Sequence, residues 1–139
     1  MKLVLSSGDV FVLRFDSGEE IISWLIRFTQ ENKITAAAIS GIGSSKEAEL
    51  GYYDIAAKEY RKKIYSRELE VVGLSGNISV LNNEPVIHLH GVLSNENYDT
   101  VGGHIHRLVV SATIEITIMV LRGEIHRKPD SETGLNLLD

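Results

Sequence analysis

The sequence predicts an α+β domain in which one principal helix packs against a central, mainly antiparallel sheet. Only residues 19–32 space their apolar side chains with the helical period. Seven other runs are rich in β-branched and aromatic residues and are separated by turn residues, which is typical of antiparallel strands. The 139 residues, 43% of them hydrophobic, suffice for one core and are too few for two ordinary domains. We therefore predict a single domain over 1–139, with its core at about 8–122.

The composition excludes several kinds of site. The chain has no cysteine, so disulfides, thiolate metal ligands and cysteine nucleophiles are excluded. Its most apolar stretches, 109–112 and 114–121, are too short to cross a membrane, and the first nine residues lack a secretory apolar run. The sequence therefore predicts a cytoplasmic protein with no membrane partner. The net charge of −5 and the pI of about 5.5 disfavour unaided binding to DNA.

The first elements in the chain are a strand and the helix. Residues 10–15 form a β-rich run, and the turn residues 16–18 follow it. The helix is expected over 19–32, with acidic residues in its first turn. Ser17 and Glu20 have the spacing of a capping box, which predicts that Ser17 caps this helix.

Glycines and asparagines divide the middle of the chain. Gly41-Ile42-Gly43 predicts a loop over 41–45, and the lack of a third glycine argues against a dinucleotide-binding fingerprint. Residues 47–54 and 59–65 are expected to form a hairpin. Gly76-Asn77 predicts a turn between strands at 68–75 and 78–81.

The second half of the chain is predicted to be mostly sheet. Turn residues 82–85 precede a strand at 86–93, and the polar stretch 94–100 precedes a β-rich segment that continues to 121. Residues 123–139 form a polar tail whose Pro129, Asp130 and Ser131 disfavour regular structure, although its leucines can dock on the body.

Four of the five histidines form two His-x-His pairs. The period of a strand places His88 and His90 on one face, and His104 and His106 are spaced in the same way. If the two segments pair, four imidazoles meet on one surface, and three of them suffice for a zinc or other transition-metal site. The alternative is a polar sheet face that hydrogen-bonds across strands or packs at a subunit contact. His126, in the tail, is expected to be exposed.

Glu115 is the one carboxylate inside an apolar strand. It is a candidate general base, metal ligand or partner of Arg14 or Arg107. A solvated sheet face explains it more simply, because antiparallel sheets commonly expose one polar side. A separate group of basic residues is a local candidate patch for DNA, although a solvated hairpin explains it better: Lys58, Arg61, Lys62, Lys63 and Arg67.

Several segments in order resemble the plant-and-prokaryote-conserved (PPC) domain, also called DUF296. They are Gly-Ile-Gly at 41–43, Leu-Gly-Tyr-Tyr-Asp at 50–54, Glu-Leu-Glu-Val-Val-Gly-Leu-Ser-Gly-Asn-Ile-Ser at 68–79, His-Leu-His at 88–90 and Gly-Gly-His-Ile-His at 102–106. The resemblance runs from about Arg14 to about Arg122. It implies an α+β homotrimer in which His88, His90 and His104 are metal ligands, with His106 in reserve.

The resemblance also implies an association with DNA, since the plant domain follows an AT-hook and prokaryotic members are described as DNA-binding. This chain has no Arg-Gly-Arg-Pro hook. We therefore expect a homotrimeric regulatory module that acts mainly through protein contacts and whose histidine cluster is a candidate metal site. The alternatives are a zinc-dependent enzyme acting on a small molecule, with Glu115 as possible base, and a structural trimeric scaffold. The sequence favours a non-enzymatic role over an enzymatic one without deciding between them.

Overall fold

A computed structural model describes the whole chain, Met1–Asp139. It contains a seven-stranded sheet, one helix and a small two-stranded sheet, which confirms the predicted α+β class. The elements are β1 (Lys2–Ser7), β2 (Val10–Asp16), α1 (Ile21–Glu31), β3 (Ala37–Asp54), β4 (Glu59–Tyr65), β5 (Leu69–Leu81), β6 (Glu84–Ser94), β7 (Thr100–Val120), β8 (Arg127–Pro129) and β9 (Asn136–Leu138). The helix has 11 residues, about half the length needed to cross a bilayer.

Every strand pairing in the large sheet is antiparallel, as predicted. The strand order is β1-β2-β7-β6-β5-β3-β4, and β3 also pairs with β7. The pairings β3–β5, β5–β6, β6–β7 and β7–β3 therefore form a closed circuit of four strands. The long strands β3 and β7 allow this closure, because each pairs with different neighbours along its two halves.

The helix covers one face of the sheet and closes the core. Its buried side chains include Ile21, Leu25 and Phe28, which lie on one side of the helix, as their spacing predicts. They belong to a cluster of 22 buried apolar residues that includes Leu13 and Phe15 of β2. Burial of this stripe, rather than helix propensity alone, stabilises so short a helix.

The predicted helix cap was wrong. The N-cap is Glu20, whose carboxylate accepts hydrogen bonds from the backbone N–H groups of Ile22 at 3.0 Å and Ser23 at 2.8 Å. The same carboxylate accepts from the N–H of Leu108 at 3.3 Å, and so ties the start of the helix to β7. This tertiary contact favours Glu20 over the local capping signal at Ser17, and neither Glu19 nor Glu20 lies within the first helical turn.

Two predicted glycine turns are continuous strand instead. β3 runs through 41–45 with register shifts, and Gly43 has a φ of +150° where an added Cβ would lie 2.2 Å from the carbonyl oxygen of Thr113. β5 runs through Gly76, where an added Cβ would lie 2.0 Å from the carbonyl oxygen of His88. Glycine here permits close approach of neighbouring strands rather than chain reversal.

The reversals that occur are short and polar. The chain turns at Asn82-Asn83, both with positive φ, which places Leu81 opposite Glu84 in a two-residue hairpin. The hairpin of β3 and β4 forms as predicted. At the two ends of the chain the structure has strands that the sequence did not predict, namely β1 and the C-terminal hairpin, which we define as residues 127–138.

Candidate metal centre

The pairing of β6 with β7 brings the two His-x-His segments together. His90 of β6 lies directly opposite His104 of β7. The intervening residues, Leu89 and Ile105, point into the core and are almost completely buried. The strand period therefore turns the imidazoles of His88, His90 and His104 onto the other face, where they form the cluster that we call the histidine triad.

The geometry of the triad is suited to one shared ion. The Nε2 atoms of His88 and His90 are 3.2 Å apart, and one nitrogen from each of the three rings lies within 4.8 Å of the others. Two imidazole nitrogens bound to a tetrahedral zinc ion at ~2.0–2.1 Å are separated by about 3.3 Å. The first pair is thus already at coordination distance, and His104 places a third nitrogen within 4.8 Å of both.

The surroundings of His104 and His88 lower the pKa of both imidazoles, which favours the neutral form that coordination requires. Burial, together with His106, His88 and His90, lowers the pKa of His104 to about 4. Burial, Arg127 and His90 also lower the pKa of His88. These rings therefore offer lone pairs at neutral pH instead of carrying protons.

The chemistry of the donor set fits a divalent transition metal. The Nδ1 atom of His104 is buried and has no hydrogen-bond partner, which leaves one polar atom of the triad unsatisfied. Three imidazoles without a thiolate suit zinc, copper, nickel or iron better than magnesium or calcium. The residues present therefore fit such an ion, which would be a Lewis acid and would lower the pKa of a bound water.

His106 lies beside the triad but is not part of it. Its ring centroid is 4.7 Å from that of His104, and its Nε2 is buried without a hydrogen-bond partner. A Cβ at Gly51 would lie 2.4 Å from this Nε2, so the ring occupies space that only a glycine leaves open. Tyr60 contacts His104 and His106, with ring centroids 5.0 and 4.8 Å away. His106 thus packs behind His104 in a narrow slot.

Glu115 is not brought to the histidines. It is exposed and lies opposite Arg14 of β2, eleven residues and about 35 Å of strand from His104. The carboxylate partner of Arg14 is Asp16 at 3.0 Å, and that of Arg107 is Glu47 at 2.7 Å. In the structure Glu115 therefore occupies a solvated sheet face.

Arg127 is the residue at this site that the sequence did not indicate. It lies in β8, and its guanidinium donates to Ser79 Oγ at 2.7 Å and to Asn77 Oδ1 at 3.0 Å. One of its nitrogens, Nη2, is also 3.3 Å from Nδ1 of His88. Its side-chain partners, Ser79, Asn77 and His88, lie 39 to 50 positions away in the chain, so no local pattern marks it.

A pocket of about 270 Å³ separates the triad from the C-terminal hairpin. The polar side chains in its lining include Tyr60, His88, His104 and Arg127, and the apolar ones include Ile87 and Leu137. Burial is the main cause of the raised pKa of Tyr60, which keeps its hydroxyl protonated at neutral pH. The sequence carries one signal for Tyr60, namely the predicted hairpin of β3 and β4. The register of that hairpin pairs Tyr60 with Tyr53 and so fixes the face of the sheet on which Tyr60 lies.

The basic residues of the β3–β4 region are largely engaged within the chain. Arg61 pairs with Asp54, and Lys62 pairs with Glu49 at 3.0 Å. Lys58 donates to a backbone carbonyl of the C-terminal hairpin at 2.7 Å. Lys63 and Arg67 lie over the ring of Tyr65. These contacts reduce the positive charge that this region offers to a phosphate backbone.

The family model of the Plants and Prokaryotes Conserved (PCC) domain matches residues 4–122. No curated protein matches the chain significantly.

Several solved structures resemble it over nearly the whole length of both chains, among them the following three. A metal-containing protein from Archaeoglobus fulgidus is 37% identical, with 99% of each chain covered and a TM-score of 0.88. A plant- and prokaryote-conserved protein from Pyrococcus horikoshii is 31% identical, covers 100% of this chain and 97% of its own, and has a TM-score of 0.87. A protein from Bacteroides thetaiotaomicron, provisionally described as DNA-binding, is 27% identical, with 97% and 94% covered and a TM-score of 0.94.

Proposed function

The chain belongs to the Plants and Prokaryotes Conserved domain family, and from this premise we propose that it binds one divalent transition-metal ion through His88, His90 and His104. The observation that carries the proposal is the convergence of three imidazole nitrogens within 4.8 Å of one another. The relative from Archaeoglobus fulgidus that is described as metal-containing supports it. Zinc is the first candidate, because three histidines with a free fourth position are typical of catalytic zinc sites.

The free position makes the site accessible to a small molecule. His90 is exposed, whereas His88 and His104 border the pocket. A structural zinc site would be closed by a fourth protein ligand. The proposed role is therefore a metal-dependent activity on a small molecule, in which Tyr60 and Arg127 are the polar groups nearest to a bound ligand.

The experiment is metal analysis of protein purified without a histidine tag. We expect about one metal ion per chain, lost in His88→Ala and His104→Ala and retained in His126→Ala. His126 is a matched control because it is exposed and contacts only Glu124 among charged groups. Wild-type protein that contains no metal and takes up none from micromolar zinc would refute the proposal.

A second candidate function is association with DNA, which is supported by the description of the relative from Bacteroides thetaiotaomicron, 27% identical. The net charge of −5 and the internal ion pairs of the basic hairpin oppose it. Direct binding predicts a mobility shift at low salt that weakens steeply as salt rises. The same electrophoresis on Lys63→Ala would then show weaker binding to DNA. If the wild-type protein shifts no DNA at low salt, direct DNA binding is excluded.

We also propose that the chain assembles as a homotrimer. Its accessible surface of 7983 Å² exceeds the roughly 7,200 Å² expected for a compact monomer of its mass. Leu3, Val4 and Leu5 of the edge strand β1 are each about half exposed. Light scattering should give the mass of three 15.4 kDa chains; the mass of one chain at micromolar concentration would contradict the proposal.

A further inference from the structure

The pocket beside the triad combines a cation with an apolar wall. Its lining includes Arg127 and two members of the triad, together with apolar side chains such as Ile87 and Leu137. Its volume of about 270 Å³ is slightly below the ~300–1,000 Å³ of pockets that hold drug-sized ligands. The pocket therefore suits a small ligand with one polar end and one short apolar end.

Arg127 has no acidic partner. All of its contacts are to uncharged acceptors, namely Ser79 Oγ, Asn77 Oδ1, the carbonyl of Asn136 and the Nδ1 of His88. Arg14, Arg61 and Arg107, by contrast, each pair with a carboxylate. A partly buried cation without a counter-ion is unfavourable, and a metal ion bound beside it adds further positive charge. Both charges favour an anion in the pocket.

The hydrogen bonds of Arg127 show which of its N–H groups remain available to that anion. A guanidinium has five N–H donors, and four of them are directed at the acceptors in the structure. The fifth N–H group of Arg127 has no acceptor in the chain and is free to donate to an anion bound in the pocket.

We propose that this pocket binds a small monocarboxylate whose carboxylate pairs with Arg127 and whose short apolar chain lies against Ile87 and Leu137. The inference rests on the proposed metal site, because an ion held by His88 and His104 at the same pocket would add to the positive charge that the carboxylate balances. A monocarboxylate is favoured over a phosphate because six of the ten residues that line the pocket are hydrophobic and none of the others is a lysine or a second arginine.

The test is a calorimetric titration of zinc-loaded protein with butyrate and with butyramide, its uncharged counterpart. We expect butyrate to bind at least ~10-fold more tightly than butyramide, and Arg127→Met to weaken butyrate binding by ~10- to 100-fold, since hydrogen bonds to charged groups are the strong ones. Arg122→Met is the matched control, because Arg122 is exposed and does not line the pocket. It should change butyrate affinity by less than about twofold.

A second variant keeps the test decisive if Arg127→Met folds poorly. Leu137 lies at the pocket on the exposed C-terminal hairpin, 43% accessible, so Leu137→Trp is expected to fold and to narrow the apolar end. It should weaken hexanoate binding more than acetate binding. Equal effects on the two ligands, or unchanged butyrate affinity in Arg127→Met, would overturn the proposal.

Metal content, measured on the same samples, separates the two proposals. Zinc-loaded wild type that retains its metal but binds no butyrate at about 10 mM, well above the ~1 mM limit of weak specific ligands, overturns only the carboxylate pocket. Wild type that holds no metal overturns the metal site and the pocket together.

Discussion

The substitution Gly76→Ala should destabilise the protein and displace a metal ligand, although the change adds one methyl group. The added Cβ would lie 2.0 Å from the carbonyl oxygen of His88, whereas ordinary contacts begin at 3.4 Å, so β6 must move by about 1.4 Å (3.4 minus 2.0) at His88. Overpacking of this kind costs about 1–3 kcal/mol, which the lower entropy of the unfolded chain offsets by only about 0.4–1 kcal/mol. Gly73→Ala in the same strand meets nothing within 4 Å and should be neutral or slightly stabilising.

Urea unfolding of both variants in a chelator measures this difference. With a slope of about 2 kcal/mol/M, a gap of about 2 kcal/mol places the midpoint of Gly76→Ala about 1 M below that of Gly73→Ala. Added zinc should raise the midpoint of Gly73→Ala as much as that of the wild type, and raise that of Gly76→Ala less, because His88 is displaced. Equal midpoints for the two variants would show that the close approach of β5 and β6 is not as described.

Three further predictions concern the helix cap, the buried histidines and the C-terminal hairpin. Glu20→Ala should lower the free energy of unfolding, measured by urea unfolding, by about 1–2 kcal/mol, whereas Ser17→Ala should leave it unchanged. The reverse result would show that Ser17 caps the helix, as the sequence predicted. Without metal, the free energy of unfolding should fall as the pH falls from about 6.5 towards 4. The reason is that the unfolded chain binds a proton at residue 104 in this range, whereas folded His104, with its pKa of about 4, does not. His104→Asn should make the free energy of unfolding depend less on pH, and an unchanged slope would contradict the low pKa of His104. Tyr53→Phe removes the hydrogen bond of 2.7 Å from the tyrosine hydroxyl to the Thr133 carbonyl and should speed amide hydrogen exchange in β9. Tyr52→Phe, at an exposed position, should leave the exchange rate unchanged. Equal exchange rates in the two variants would show that this hydrogen bond does not hold the C-terminal hairpin in place.

The periodic parts of the fold were predictable from the sequence. Each periodic pattern arises because one face of the element is buried. This holds for the helical spacing of Ile21, Leu25 and Phe28 and for the alternation around His88 and His104. For the same reason the faces of the two His-x-His segments followed from their sequence alone. Their convergence depended on the pairing of β6 with β7, which the short polar connection between them made plausible.

The structural roles of the glycines were not predictable, because glycine occurs both in turns and where two strands approach closely. Gly43 and Gly76 were interpreted as loop and turn residues, whereas each allows a neighbouring strand to approach where any Cβ would collide. A turn and a close approach both require the absence of a side chain. Only the partner strand, distant in sequence, distinguishes them.

The C-terminal hairpin could not be predicted for a related reason. Its two strands are three residues each, too short to carry a period. The hairpin is held by contacts with distant elements, such as the hydrogen bond of Tyr53 and those of Arg127 to β5. Arg127 therefore reaches the triad through tertiary structure that its local sequence does not encode.

X-ray absorption spectroscopy of the metal in untagged native protein tests the metal site most directly. We expect three imidazole nitrogens at about 2.0–2.1 Å from the metal, together with one oxygen from a water or a bound carboxylate. A coordination shell made only of oxygen, or a shell that is unchanged in His104→Ala, would contradict it.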